Sequence, residues 1–265
     1  MDTPVKLYEH PLSPYAQKCK IALYEKGIDF DAETPDLLST REPSADFAAT
    51  NPRVEVPTLV DGTAAVFDST IILEYIEDRW PEPALLPASP RDRARVRMIE
   101  DVCDTQYDAV NWGMMELLIF KRAEGDVAGR ILARAAEQTA GLQAWLERQL
   151  GERPWFNGDA FGWGDLSVVP YVNASLLFGQ APKEGSPLAE WHARANERPS
   201  VARTAEAAMQ VATSGMEAIG ALIESGSFKR EYRDHRLEWM IRSGGLSIVE
   251  QGISAATIRF SYEVE

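Results

Sequence analysis

Cysteine and histidine are scarce in this chain, basic residues are outnumbered, and long apolar runs are missing. Two cysteines, Cys19 and Cys103, cannot build a disulfide framework. Each falls inside an expected helix at apolar spacing, so both read as buried thiols in a reducing, cytoplasmic setting. The three histidines, His10, His192 and His235, show no metal-ligand spacing, and no metal is expected. No uncharged stretch approaches the roughly 20 residues of a membrane span. The first residues lack a basic segment followed by an apolar one, so no secretory signal is expected either. Lys and Arg total 27 against 41 Asp and Glu, a formal net charge of -14. That balance argues against nucleic acid and anionic membrane surfaces as partners. It is silent on small anions, which need only a locally positive site.

What remains is an ordinary globular composition of 265 residues, 45% hydrophobic and 26% charged, long enough for two modest cores. Val5 to Tyr8 alternates as a short strand. Ser13 then offers an N-cap, Pro14 suits the first helical position, and Gly27 can close the helix. Tyr15, Cys19, Ala22 and Leu23 share one face of it, which reads as an amphipathic helix. A second strand is expected over Ile28 to Thr34, and a short helix over Ala45 to Ala49. Val56 to Val60 and Ala64 to Phe67 read as a hairpin around Asp61-Gly62. Asp68-Ser69 can cap the next helix, which shows Ile71, Ile72, Tyr75 and Ile76 and ends before Trp80-Pro81. The order is that of a small α/β layer over residues 1–80.

Pro81, Pro83, Pro87 and Pro90 mark residues 81–90 as a linker. Helical patterns then dominate residues 91–226. One long helix is expected from Arg91 to about Lys121, with Met98, Ile99, Val102, Cys103 and Val110 on its buried face. Further helices are expected at Arg130–Leu150, from Gly164 through Leu176 with Pro170 in its first two turns, at Leu188–Asn196 and at Val201–Val211. Residues 227–265 form an extension in which Phe228 to Ser243 reads as a helix, Gly244-Gly245 as a break, and Ile258 to Val264 as a strand. Extra packing against the bundle is its default role; a lid or a partner-binding arm are the alternatives.

Taken alone, Ser13 is an ordinary cap. Three signals at matched spacing change its reading: Ser13-Pro14-Tyr15 at a helix start, Glu55-Val56-Pro57-Thr58-Leu59 at a strand start, and Asp68-Ser69 opening a helix after a hairpin. Together they resemble the thioredoxin-like half of the cytosolic glutathione S-transferase family. The helical remainder, with Asn157-Gly158-Asp159 leading to Asp165, is similar to that family's C-terminal domain. The resemblance covers about residues 4–212. It implies an α/β thioredoxin-like domain followed by an all-α bundle, with glutathione as cosubstrate.

The resemblance assigns roles by position. Val56 would pair its backbone with the cysteine portion of glutathione, presented by Pro57 as a cis-proline. Asp68 and Ser69 would hold the γ-glutamyl end. Ser13 would donate to the glutathione thiolate and lower its pKa, making a nucleophile at neutral pH. Glu55 departs from the family pattern, because an acid there repels the glycine carboxylate; Arg53 or Arg41 would have to compensate. With glycine at 162 as an acceptable N-cap, Asp165 reads as structural. The second-substrate pocket is expected between the two domains, with Leu12, Tyr15, Tyr107, Asn111, Trp112 and Met115 as candidates, though Trp112 and Met115 fit a core better than a binding surface. The implied activity is attack of the thiolate on an electrophilic carbon of a hydrophobic, aromatic substrate: conjugation, dehalogenation or aryl-ether cleavage. A β-etherase-like catabolic enzyme is the narrower reading. A non-catalytic binding or assembly protein on the same fold is the alternative, kept open by Glu55, and serine at position 13 disfavours a thiol-disulfide reductase. A homodimer is expected, with a heterodimer as the other possibility.

Overall fold

The computed structural model describes residues 5–35, 45–224 and 234–258; Arg41 and most of the expected C-terminal strand lie outside them. The first layer runs β1 (Val5–Tyr8), α1 (Pro14–Glu25), β2 (Phe30–Glu33), α2 (Ala45–Thr50), β3 (Thr58–Asp61), β4 (Ala64–Phe67) and α3 (Ser69–Arg79). The sheet order is β2-β1-β3-β4, with β1 and β2 parallel and the other pairs antiparallel. This is the thioredoxin-like arrangement. In the register of the sheet, Tyr8 sits opposite Thr58, and Thr58 opposite Phe67. The segments after β1, before β3 and after β4 therefore leave the sheet at one edge.

The helical region comprises α4 (Pro90–Val102), a π-helical stretch Cys103–Tyr107, α5 (Asp108–Leu118), α6 (Gly125–Leu150), α7 (Trp163–Leu177), α8 (Pro187–Asn196), α9 (Pro199–Glu224), α10 (Asp234–Arg242) and α11 (Leu246–Ser254). Leu7, Leu23, Leu59 and Ile72 of the first layer share one core with Val96, Ile99, Trp163 and Trp191 of the helices. A second core gathers Ala109, Trp112 and Met114 of α5, Ile131 and Ala135 of α6, Trp239 and Met240 of α10, and Ile248 of α11.

Three expectations give way here. The helix after Ser13 is buried on nearly every side, because it packs against α3, α7 and α9, and its polar residues are paired internally instead of solvated. Lys18 meets Glu100 and Asp104, both at 2.5 Å, and Lys20 meets Glu9 at 2.8 Å. The single long helix from Arg91 is instead two α-helices joined by a π turn, in which the Asp108 N–H reaches back five residues to the Cys103 carbonyl. Met98 faces solvent, because Val96, Ile99 and Cys103 define the inner face. The proline-rich connection, finally, is bonded on both sides. Glu77 accepts from the Leu85 and Leu86 N–H groups at 3.0 Å, and Lys26 donates to the Trp80 and Pro83 carbonyls. The Leu85 carbonyl in turn accepts from Trp163 N and Asn157 Nδ2.

Asp165 is the organiser of the α7 start. Its carboxylate is fully buried and accepts from the backbone N–H groups of Phe156, Asn157 and Gly162 and from Trp191 Nε1. Burial pushes its pKa up to about 6, against four donors that favour the charged form. In the extension, α10 covers the later part of the expected Phe228–Ser243 helix, whose first residues lie outside the described ones; Gly244-Gly245 does break it, and α11 follows where no helix is expected from sequence. Both cysteines are buried and unpaired, as expected. No described helix is long and apolar enough to cross a membrane.

Candidate functional site

Ser13 adopts an extended backbone conformation and caps α1, its Oγ accepting from Ala16 N at 3.3 Å. That bond occupies a lone pair and leaves the hydroxyl proton available to a ligand. The approach to Ser13 is pinned. Gln17 Nε2 donates to the Pro11 carbonyl at 2.8 Å, and Leu12 N donates to His10 Nδ1 at 3.2 Å. The free N–H groups and positive dipole end of α1 face the same way as the hydroxyl.

At the same sheet edge, the Val56-Pro57 peptide is cis. Among the described residues, the Val56 N–H and C=O make no backbone hydrogen bond, so both are available to an extended ligand. The loop is held by Asn51, which belongs to none of the three motifs. Its Nδ2 donates to the Glu55 carbonyl and to Thr58 Oγ1, both at 2.8 Å, and its Oδ1 accepts from Arg53 N. The Asn51-Pro52 pair ahead of the strand is the local signal for this role, since such pairs favour turn initiation.

Asp68 and Ser69 complete the edge. Asp68 has φ 74, a left-handed conformation that costs energy for a non-glycine residue and recurs at functional sites. One of its oxygens accepts from Thr70 N and Ile71 N, so the other can meet a cation. Asp68 is exposed and Ser69 buried. Arg53 Nη2 lies 3.2 Å from Glu55 Oε2. The acid that departs from the family pattern is therefore countered by the arginine expected to compensate for it.

The pocket candidates separate. Leu12 and Tyr15, on either side of Ser13, are partly buried. The Tyr15 hydroxyl donates to the Asp104 carbonyl at 2.6 Å, tying the start of α1 to the π turn. Burial and the nearby Asp108 hold its pKa well above the usual phenol value. Tyr107 is fully buried, stacks on Tyr171 and shares its hydroxyl with Ser175 and Gln143. Trp112 and Met115 pack with the second core. Asn111 donates to the Tyr171 carbonyl at 2.9 Å, while its buried Oδ1 has no partner among the described residues.

Beneath the edge runs a buried polar network that spacing could not disclose. Glu100 accepts from Lys18, from Thr70 Oγ1 at 2.8 Å and from Trp163 Nε1 at 2.5 Å; Asp104 accepts from Lys18 and from the Tyr171 hydroxyl at 2.7 Å. Burial opposes the Lys18 charge, but Asp104 and Glu100 together hold its pKa above the ordinary lysine value. Burial and the neighbouring Glu100 push Asp104 up to about 6, against the opposing pull of Lys18. The network fastens α1 and α3, which carry Ser13 and Asp68-Ser69, to the helical region.

Known proteins share this fold and much of this sequence. Residues 7–84 match the glutathione S-transferase N-terminal domain. The chain is 30% identical over 203 residues to "Glutathione S-transferase U28" of Arabidopsis thaliana, covering 72% of this chain and 84% of that protein. It is 32% identical over 184 residues to a maleylacetoacetate isomerase of Pseudomonas aeruginosa, covering 67% and 84%. Among solved structures, rice GST1 in complex with glutathione superposes with a TM-score of 0.68 at 26% identity, covering 84% of this chain and 97% of that one.

Proposed function

Since the chain belongs to the glutathione S-transferase family, we propose that it binds glutathione along the sheet edge and uses the thiolate as a nucleophile at Ser13. The observation that carries this is the convergence of three groups on that edge: a hydroxyl with a free proton at a helix N-terminus, an unused backbone pair at Val56, and the Asp68-Ser69 helix start. In this reading Val56, presented by Pro57, pairs with the cysteine portion of the peptide. Asp68 takes the γ-glutamyl ammonium, and Ser69 with the α3 N-terminus takes its carboxylate. Arg53 faces the glycine carboxylate while remaining paired to Glu55.

Ser13 and the α1 dipole favour the thiolate over the thiol, so the proton leaves to solvent. The sulfur lone pair forms a C–S bond to an electrophilic carbon, and the leaving group departs with the bonding pair. A halide as leaving group makes the reaction a dehalogenation; an aryloxide makes it an ether cleavage. The second substrate in this reading is a hydrophobic, aromatic electrophile, with Leu12 and Tyr15 as the partly buried side chains on either side of Ser13. The site is expected to operate in a reducing cytoplasm and without a metal. A non-catalytic binding or assembly protein on the same fold is the alternative, suggested by Glu55; the Arg53–Glu55 pair favours the enzyme reading.

Isothermal titration with glutathione, coupled to turnover of a simple aryl halide, tests the reading. Ser13→Ala is expected to lower turnover about 10²–10³-fold, the usual effect of removing one donor to a developing anion, while glutathione still binds. Full activity in Ser13→Ala would reassign the donor. Absence of glutathione binding at millimolar concentration would sink the enzyme reading altogether.

A further inference from the structure

A cleft lies at the other end of α1 from Ser13. The helix spans 12 residues, about 18 Å at 1.5 Å per residue, so this cleft is apart from the proposed glutathione site. It offers about 220 Å³ between the end of α1, the start of β2 and α9. That is below the roughly 300–1,000 Å³ of drug-sized sites and suits a small ligand. Ile28, Phe30 and Ala32, at alternate positions leading into and along β2, give it an apolar side. Gly27 lines it too, and a Cβ placed there would meet nothing within 4 Å. Tyr24 packs on Phe30 with ring centroids 5.0 Å apart, and Arg203 of α9 stacks on Tyr24, its guanidinium carbon 3.7 Å from the ring centroid.

Three polar groups line this cleft with nothing to bond. Among the described residues, the Arg203 guanidinium has no acceptor, the Asp29 carboxylate no donor and the Tyr24 hydroxyl no partner. The neighbouring charges are already used: Glu25 accepts from Arg198 and Ser200, and Lys26 is buried against Glu77 and the Trp80 and Pro83 carbonyls. Stacking on Tyr24 fixes the plane of the Arg203 guanidinium and leaves its edge of N–H donors for a carboxylate. Asp29 and the carbonyl end of α1, which carries no basic residue in its last turn, form a negative pole. The cleft therefore holds two opposite charges that are not paired with each other. We propose that it binds a small zwitterion of the α-amino acid class with an aliphatic side chain. The carboxylate meets Arg203 and the Tyr24 hydroxyl, the ammonium meets Asp29, and the side chain rests on Ile28, Phe30 and Ala32. Bound in this way, the ligand ties the first layer to α9.

The test is calorimetric titration of the full chain with L-leucine, with 4-methylpentanoate, which lacks the ammonium, and with 3-methylbutylamine, which lacks the carboxylate. Leucine is expected to bind with a dissociation constant of about 1 mM or tighter, in keeping with a ligand of this size. Each analogue is expected to bind ~10-fold or more weakly, as befits the loss of hydrogen bonds to a charged group. Arg203→Gln and Asp29→Asn are expected to weaken leucine by a similar factor. Ala32→Phe fills the cleft while keeping both charges and is expected to abolish binding. All three positions are exposed, and thermal midpoints confirm that the variants fold. Asp68→Asn is the control, because the proposed glutathione site also receives an amino-acid end there; it is expected to leave leucine binding unchanged. The proposal is overturned if leucine does not bind, if the analogues bind as tightly, or if binding survives the three cleft variants and is lost in Asp68→Asn. None of these outcomes depends on glutathione chemistry at Ser13, so the two readings stand or fall separately.

Discussion

Lys18, Glu100 and Asp104 place one ammonium between two carboxylates in a buried setting, and the second carboxylate is held reluctantly. Asp104, with its pKa near 6, stands well above the roughly 3.9 of an unfolded aspartate. Between those values the folded chain binds more protons than the unfolded one, so this group's contribution to stability is present at low pH and is lost as pH rises towards 6. Asp104→Asn removes the titration, keeps an acceptor for Tyr171 and leaves Lys18 paired one-to-one with Glu100. Thermal midpoints from pH 4.5 to 7.5 are expected to show the variant closing on the wild type by about 1–2 kcal/mol as pH rises through 6. Asp165 titrates in the same range but is present in both proteins, so it cancels. Parallel curves would show that Asp104 stays ionised throughout. Tyr15, Tyr171 and Arg236, which also face this network, have their pKa values raised and change no charge in that window.

At the level of elements, α10 is seated by a single clearance. A Cβ built on Gly113 would lie 2.0 Å from Trp239 Cζ3, so the indole or the backbone must shift to admit it. Gly113→Ala is therefore expected to unseat α10, at a cost of roughly 1–3 kcal/mol of local packing, and to expose the extension to limited proteolysis while the remaining helices stay resistant. An unchanged digestion pattern would mean the indole can move aside. The same elements show where sequence was informative. Caps are local, so Ser13, Asp68 and the Asp165 turn were legible from a few neighbouring residues, and the strands followed from alternation and the Asp61-Gly62 turn. Two features were not legible. The π turn inserts no residue type that periodicity can register, so α4 and α5 read as one helix. Lys18 and Lys20 look solvated because their partners are Glu100, Asp104 and Glu9, and most of that pairing is distant in sequence. The Arg236–Asp108 pair is hidden for the same reason, its members lying 128 residues apart.

At the scale of the molecule, a chain of net charge -14 repels its own copies, so stable self-association needs an apolar contact strong enough to offset that repulsion. One face offers it. Arg97 and Glu74 bridge α4 to α3 at 2.5 Å, and the neighbouring Ile71 and Met98 are 56% and 61% exposed. Two large apolar side chains beside a fixed ion pair suit an isologous contact, in which each copy presents the same patch to the other. We propose that the chain forms a homodimer through this face. Light scattering at micromolar concentration is expected to give twice the chain mass, and Ile71→Glu/Met98→Glu to give the monomer, since four added carboxylates would meet across the two-fold axis. Ile253, on α11, is 62% exposed as well, and Ile253→Glu serves as the control that leaves the mass doubled. Dissociation by Ile253→Glu alone would move the interface to the extension, and a monomeric wild type would remove the homodimer and leave pairing with a different subunit as the form to seek.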